Sequence, residues 1–393
     1  MKRADVEGTV AAGLNRDCVG SSTLVRQLSM RRATVPIPQS LNHHRFSHMP
    51  ALDRYRKQTL FAPLGEAGQL RLQAGKAMVV GCGALGSVIA ESLVRAGVGL
   101  VRIVDRDFVE LSNLQRQVLY DERDVADQLP KAEAAARKLR LINSDVTVEP
   151  VVADLSSDNI RQLADGMNVI VDGTDNFETR FLVNDWAFES KTPWVHGGCV
   201  GCHGQVMTFR PGKTICFRCL MGGVPEPGSG ETCDTAGVLG PAVNVIASLQ
   251  SLDAIKILAG LDETIEPVMT VVDLWEGTFR RLKVGEPRDE GRCAGCITGE
   301  RPWFHGTQSA RSAVLCGRNA VQITPPLPMQ IGLEELATRL AASGRVTRNS
   351  FLVKLEAAET GYVLTVFQDG RAIIQGTEDP GIARSVYSRF IGM

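Results

Sequence analysis

The stretch Gly81-Cys82-Gly83-Ala84-Leu85-Gly86 has the glycine spacing of a loop that brings backbone against phosphate. Gly81 permits a tight turn, Gly83 lets the main chain approach an anion, and Gly86 allows a helix to pack closely on the preceding strand. The helix that Ala84 opens presents unpaired N–H groups and a positive dipole end to that anion. Asp105 lies 24 residues beyond Gly81, at the end of the next apolar run, where an acid can accept hydrogen bonds from ribose hydroxyls. Asp107 follows it, and the polar segment Ser112-Asn113-Leu114-Gln115-Arg116-Gln117 is long for a strand-to-helix connection. Asn113 and Arg116 there are placed to face phosphates, and Arg116 with Lys131 at the head of a further helix would neutralise a triphosphate better than a pyrophosphate bridge. Asp175, in Asp172-Gly173-Thr174-Asp175-Asn176, can hold Mg²⁺ through one oxygen while waters and phosphates complete the octahedron. The competing reading makes Asp175 the cap of the helix that follows.

A second chemistry is written in the cysteines. Of ten, four form the pairs Cys216-Phe217-Arg218-Cys219 and Cys293-Ala294-Gly295-Cys296, the spacing of two halves of a tetrahedral zinc site. Four thiolates close such a site, so its role is structural. Four free thiols are the alternative. Cys233 stands apart in a polar, glycine-flanked loop before a helix, a setting that lowers a thiol pKa. A chemical role and a bystander role are both open for it. Cys82, Cys199, Cys202 and Cys316 read as small buried residues.

These residues need a frame, and the periodicity supplies one. Ala77–Val80, Leu100–Val104, Val146–Val152 and Asn168–Asp172 read as strands, and Leu85–Ala96, Lys131–Ile142 and Thr179–Glu189 as helices. That alternation predicts an α/β fold with a Rossmann-like, doubly wound, mostly parallel sheet. Beyond Pro193 comes Gly-rich hairpin material bearing the first cysteine pair, then a long apolar helix, Pro241–Ala259, and closing strands Val268–Asp273 and Thr278–Val284. Residues 300–328 read as loop. Helices Leu333–Ser343 and Pro380–Phe390 with strands Phe351–Glu356, Tyr362–Gln368 and Ala372–Gln375 predict a small C-terminal α+β domain. The expected division is a disordered extension over 1–48, a nucleotide-binding domain over 49–298 and the small domain over 299–393. Residues 1–48 carry seven Lys/Arg and three Asp/Glu without periodicity. They read as a bacterial extension or an early start ahead of Met49, and their Arg- and Ser-rich composition also fits a transit peptide.

Composition removes several classes. The 393 residues carry 43 Lys+Arg against 44 Asp+Glu, so no basic field invites nucleic acid. No apolar run reaches the roughly 20 residues a membrane helix needs, and no apolar leader precedes the cysteines. A cytoplasmic protein is expected.

With these motifs in order, the sequence resembles the ThiF/MoeB/HesA family of ATP-dependent adenylyltransferases, relatives of the ubiquitin-activating enzymes. The matching residues are Gly81–Gly86, Asp105 with Asp107, Ser112–Gln117, Lys131, Thr174-Asp175-Asn176, both cysteine pairs and Thr232–Gly240, within about residues 50–297. The resemblance implies adenylation of the C-terminal glycine of a small β-grasp sulfur-carrier protein ending in Gly-Gly, of the ThiS or MoaD type. The carrier carboxylate attacks the α-phosphorus of ATP and pyrophosphate leaves, in support of thiamine or molybdopterin cofactor synthesis. It implies that Asp105 binds ribose, that Asn113, Arg116 and Lys131 stabilise phosphates, that Asp175 serves Mg²⁺, and that the four cysteines hold Zn²⁺. In ThiF-like relatives the cysteine equivalent to Cys233 can bond covalently to the carrier.

The resemblance also implies a homodimer and a separate sulfur donor, since no rhodanese-like segment is visible. One departure concerns the leading helix. The family has Arg-Tyr-x-Arg-Gln there, its second Arg reaching the partner subunit's ATP; this chain has Arg54-Tyr55-Arg56-Lys57-Gln58. Lys57 keeps the charge and loses the bidentate fork.

Two rivals are a nicotinamide oxidoreductase using the same loop and a non-catalytic scaffold related to activating enzymes. The first leaves Arg116, Lys131, Asp175 and the cysteine pairs unexplained; the second predicts loss of the Asp or Arg, and both are present. The small C-terminal domain has a β-rich, ubiquitin-fold-like pattern, but the chain finishes Phe390-Ile391-Gly392-Met393 and not in Gly-Gly. It reads as a docking domain for the carrier or the sulfur donor.

Overall fold

The computed structural model describes residues 50–223, 236–284, 293–307, 312–315, 319–325, 329–358 and 360–391. The expected extension over 1–48, the glycine run 222–230 beyond Gly223, Cys233 and Cys316 lie outside them.

Eight strands form the larger sheet: β1 (Lys76–Val80), β2 (Leu100–Val104), β3 (Thr147–Val151), β4 (Val169–Asp172), β5 (Trp194–Val200), β6 (His203–Phe209), β7 (Val268–Asp273) and β8 (Thr278–Lys283). Their order is β3-β2-β1-β4-β5-β6-β7-β8. The first five run parallel, and β6 to β8 continue antiparallel. The parallel strands are nearly continuous apolar runs because helices cover both their faces; β4 is buried along its whole length. Helices Ala84–Ala96, Lys131–Ile142 and Gly240–Leu258 pack on one face, and Phe177–Ser190 on the other. The chain order reverses between β1 and β4, which opens a crevice at their carboxyl ends.

The helix after β1 is set by its two ends. Gly83 is its N-cap, and Gly97 ends it in the left-handed region at φ 82°. The Tyr55 ring occupies the space a Gly97 side chain would need. Asn143 donates to the Tyr55 hydroxyl at 2.8 Å, so the leading segment is pinned to the back of the sheet, away from the crevice.

The second sheet is antiparallel, in the order β11-β12-β13-β14-β10-β9. Its strands are β9 (Ser312–Leu315), β10 (Ala320–Ile323), β11 (Gly344–Arg348), β12 (Leu352–Ala357), β13 (Val363–Phe367) and β14 (Ala372–Gln375). Helices Leu333–Leu340 and Pro380–Phe390 cover one face. The expectation of loop throughout 300–328 is corrected by β9 and β10. Each is four residues long, too short for a periodic signal among the flanking prolines, and β10 is fully buried between its neighbours. Among the described residues, no helix is long and apolar enough to cross a membrane.

Candidate active site

Three glycines decide the crevice. Gly81 turns at φ 80°. A Cβ on Gly81 would stand 2.9 Å from the Gly173 carbonyl oxygen, and one on Gly173 would stand 2.6 Å from that of Gly81. A Cβ on Gly86 would overlap the Gly81 carbonyl. The loops after β1 and β4 therefore touch backbone to backbone. Asp105 holds the glycine loop in shape: it accepts from Cys82 N–H at 2.6 Å and from Asp107 N–H at 2.7 Å. Burial raises the Asp105 pKa, and nearby Lys131 works against that rise. Two backbone donors leave a carboxylate further lone pairs for hydroxyl donors. The Cys82 thiol, by contrast, is pushed up to about 12 by burial and by Asp105, so it is no nucleophile.

The polar segment beyond β2 folds back over this loop. Leu111–Asn113 is one 3₁₀ turn, closed by the Asn113 side chain accepting from Glu110 N–H at 3.1 Å. Asn113 is buried, Ser112 and Gln115 are exposed, and Arg116 is half-buried with its guanidinium on the Ser112 carbonyl at 2.9 Å. Gln117 is buried beside Gly83, its Nε2 3.8 Å from where a Gly83 Cβ would stand. Its Oε1 has no hydrogen-bond partner among the described residues. Such an orphaned buried acceptor is costly and marks a place where a ligand donor fits. Tyr120 donates its hydroxyl to the Cys82 carbonyl at 2.7 Å and lies 3.2 Å from that of Lys131. That brings the head of the Lys131 helix to the glycine loop. Lys131 is buried, and its ammonium pairs with Asp107 at 3.2 Å.

On the β4 side, Asp172 is the hub. It accepts from Thr174 N–H and hydroxyl at 2.9 and 2.7 Å, from Arg180 Nε at 3.1 Å and from His196 Nδ1 at 2.8 Å. Burial alone would raise its pKa, but Arg180 and these hydrogen bonds carry it below the ordinary carboxylate range. Burial lowers His196, which is therefore neutral and donates from Nδ1. Asn176, not Asp175, caps the next helix, accepting from Glu178 N–H at 2.8 Å and Thr179 N–H at 3.3 Å. Asp175 is left exposed at the crevice, close enough to Arg106 to help hold its charge.

The four cysteines converge. Cys216 and Cys219 sulfurs are 3.7 Å apart, Cys216 and Cys293 3.5 Å, Cys219 and Cys296 3.4 Å, and all four lie within 4.8 Å of one another. Zinc bonded to four thiolates at about 2.3 Å sets neighbouring sulfurs about 3.8 Å apart, so the cluster fits that ion. Gly295 lies close against the cluster: a Cβ there would stand 3.1 Å from Arg218 Cδ and 3.3 Å from the Cys216 sulfur. Cys199 and Cys202, which share the Cys-x-x-Cys spacing, stay outside the cluster. Cys199 is buried, while Cys202 is only half-buried at the β5–β6 turn. Phe217, Trp303 and Phe181 join the cysteines to the active face. Trp303 stacks on Phe181 at 4.5 Å, and Phe217 meets Phe181 and His196 at 5.1 Å each. Phe181 neighbours Arg180 on the helix that also carries the Asn176 cap.

Lys57 is exposed on the leading segment. That segment abuts Gly97, at the far end of a 13-residue helix, roughly 20 Å from the glycine loop of the same chain.

The sequence model of the ThiF family matches residues 55–295. The chain belongs to the ThiF family. It is 45% identical over 340 residues to the sulfur carrier protein ThiS adenylyltransferase of Bacillus subtilis, a match covering 86% of this chain and 99% of that protein. It is 39% identical over 257 residues to the sulfur carrier protein adenylyltransferase of Thermus thermophilus, covering 64% of this chain and 92% of that protein. The crystal structure of E. coli MccB has the same fold, with a TM-score of 0.55 at 23% identity over 62% of this chain and 75% of that one.

In this ThiF-family chain, Gln117's orphaned oxygen, Arg106 and the Arg180–Asp172–His196 network had no signal in the spacing, because each acts across the fold. The His196 setting has a pH consequence. Its folded pKa lies below the unfolded value of about 6.5, so the unfolded chain binds the proton first. Stability is complete above that pH and falls as pH drops, and depressed Asp172 adds a further loss below about pH 4. Melting in urea between pH 7.5 and 5 is expected to lose up to about 1.4 kcal/mol per pH unit from His196. His196→Gln, which does not titrate, flattens that slope; an unchanged slope contradicts the assignment.

Proposed function

We propose that this protein adenylates the C-terminal glycine of a small β-grasp sulfur-carrier protein of the ThiS or MoaD type, using ATP and releasing pyrophosphate. The observation that carries the reading is the crevice itself. A side-chain-free glycine cradle, a buried lysine and a glutamine oxygen without a partner among the described residues meet at the carboxyl ends of β1 and β4. Family membership and the near full-length match to a ThiS adenylyltransferase support the substrate class.

In this reading the Gly81–Gly83 backbone and the head of the Ala84–Ala96 helix receive phosphate. Asp105 accepts from the ribose hydroxyls while it keeps the loop closed through Cys82. Lys131 exchanges Asp107 for the triphosphate, and Arg116 and Asn113 line the same side. Asp175 would hold Mg²⁺, which supplies charge neutralisation for the departing pyrophosphate. Catalysis is then positioning and electrostatics, since the carboxylate nucleophile comes from the carrier. Cys216, Cys219, Cys293 and Cys296 would hold Zn²⁺ as a structural ion that fixes the aromatic bracket behind Arg180.

Lys57, remote from its own chain's crevice, suits a homodimer in which it reaches the partner's nucleotide. A separate donor supplies sulfur, and reduced thiols with ATP as substrate suit the cytoplasm.

Carrier-dependent ATP–pyrophosphate exchange tests the reading, with ThiS-type and MoaD-type carriers in separate arms. Asp175→Ala is expected to lower exchange at least about 100-fold with an unchanged melting curve; retained exchange removes the Mg²⁺ assignment. Chelation is expected to release about one zinc per chain and to lower the melting midpoint; a metal-free protein of full stability contradicts the zinc site.

A further inference from the structure

The six-stranded sheet reaches the nucleotide crevice from behind. Two segments carry the crevice's charged groups: Asp105–Val109, leaving β2, and Asp127–Lys131, leading into the next helix. They are bound to each other. Val109 N–H donates to the Leu129 carbonyl at 2.9 Å, Lys131 N–H to that of Asp107 at 2.8 Å, and Phe108 and Pro130 form an antiparallel bridge.

The second sheet holds both. Phe108 packs against Ala320, Leu352, Phe367 and Ile373. Arg371, buried over the Phe367 ring, donates from Nη1 to the Arg106 carbonyl at 3.2 Å. Gln322 on β10 donates to Asp154 Oδ2 at 2.7 Å, and Asp154 takes Arg106 Nη1 on both oxygens at 3.1 Å. Asn349 donates to the carbonyls of Gln128 and Asp127 at 2.8 and 3.2 Å. Its Oδ1 meanwhile accepts from Phe351 and Leu352 N–H, which fixes its own turn. Gln128 sits at φ 50°, a backbone setting that a non-glycine residue keeps only when it is held.

We propose that this C-terminal sheet is a positioning element for the ATP crevice, with Gln322 and Asn349 as its positioning residues; the role rests on the adenylation reading above. Arg106 is half-buried among three carboxylates, Asp154, Asp107 and Asp175. By fixing Asp154, Gln322 keeps the Arg106 guanidinium on it. Asp107 is then left to hold Lys131 ready, and Asp175 keeps its carboxylate for the cation. Without that donor, Arg106 turns toward Asp107, 3.8 Å away, or toward Asp175, and competes for the groups that receive Mg²⁺ and phosphate. Asn349 does the corresponding work on the loop ahead of Lys131.

The test is calorimetric titration of the full chain with ATP and Mg²⁺, without carrier. Gln322→Met keeps the side chain's bulk and loses the donor. Asn349→Asp keeps the turn-forming Oδ1 and loses the donated bonds. Each is expected to weaken ATP binding about fivefold, the worth of one net hydrogen bond, with the melting midpoint lowered by no more than about 5 °C and metal content unchanged. In exchange assays the change falls on the ATP KM, with kcat within about twofold. On an Asp154→Ala background, which removes the acceptor, Gln322→Met is expected to add nothing further. Wild-type affinity in both variants, or full additivity with Asp154→Ala, overturns the positioning role. A wild-type protein that binds no ATP overturns the adenylation reading instead.

Discussion

Everything at the crevice depends on two loops touching where no side chain fits. Gly81, Gly86 and Gly173 bring the β1 and β4 loops into backbone contact, and a Cβ at any of the three would displace the others. The contact exposes the N–H groups at the start of the Ala84–Ala96 helix and puts Asp105 within reach of Cys82 N–H. The charged residues are arranged around that geometry. Lys131 comes to the loop through Tyr120, and Gln117 lies over Gly83.

The β4 side is kept rigid by different means. Asp172 collects Thr174, Arg180 and His196 in a buried network whose charges balance. Breaking one partner of such a network costs more than its formation contributes, because the remaining charge is stranded. Phe181, Phe217 and Trp303 back that network and end at the cysteine cluster. A cluster far from the phosphate cradle in sequence is thereby part of the same mechanical unit. The C-terminal sheet plays the matching role on the β2 side, through Phe108, Arg106 and Asn349.

Most of the larger sheet was legible in the sequence because parallel strands are apolar runs bounded by turn residues. The β2 strand and the Lys131–Ile142 helix match their expected limits. The glycine loop and the two cysteine pairs were legible because their chemistry is local in spacing. What escaped is non-local. Arg180 and His196 look like ordinary helix and strand residues until the fold aims them at Asp172. Gln117 lies in the matched Ser112–Gln117 segment, but its place at the site shows only in an oxygen with no partner among the described residues. Strands β9 and β10 are too short to announce themselves, and the contact of their sheet with Arg106 spans more than 200 residues of chain. That Asp175 is not the helix cap needed the structure too, because only the geometry shows Asn176 doing the capping.

The most direct measurement is a crystal structure with a non-hydrolysable ATP analogue and Mg²⁺. The account predicts the triphosphate over the Gly81–Gly83 backbone, Lys131 turned from Asp107 to phosphate, and the α-phosphorus open on the side facing solvent. A nucleotide bound elsewhere, with the Lys131–Asp107 pair intact and Gln117 still unpartnered, contradicts it.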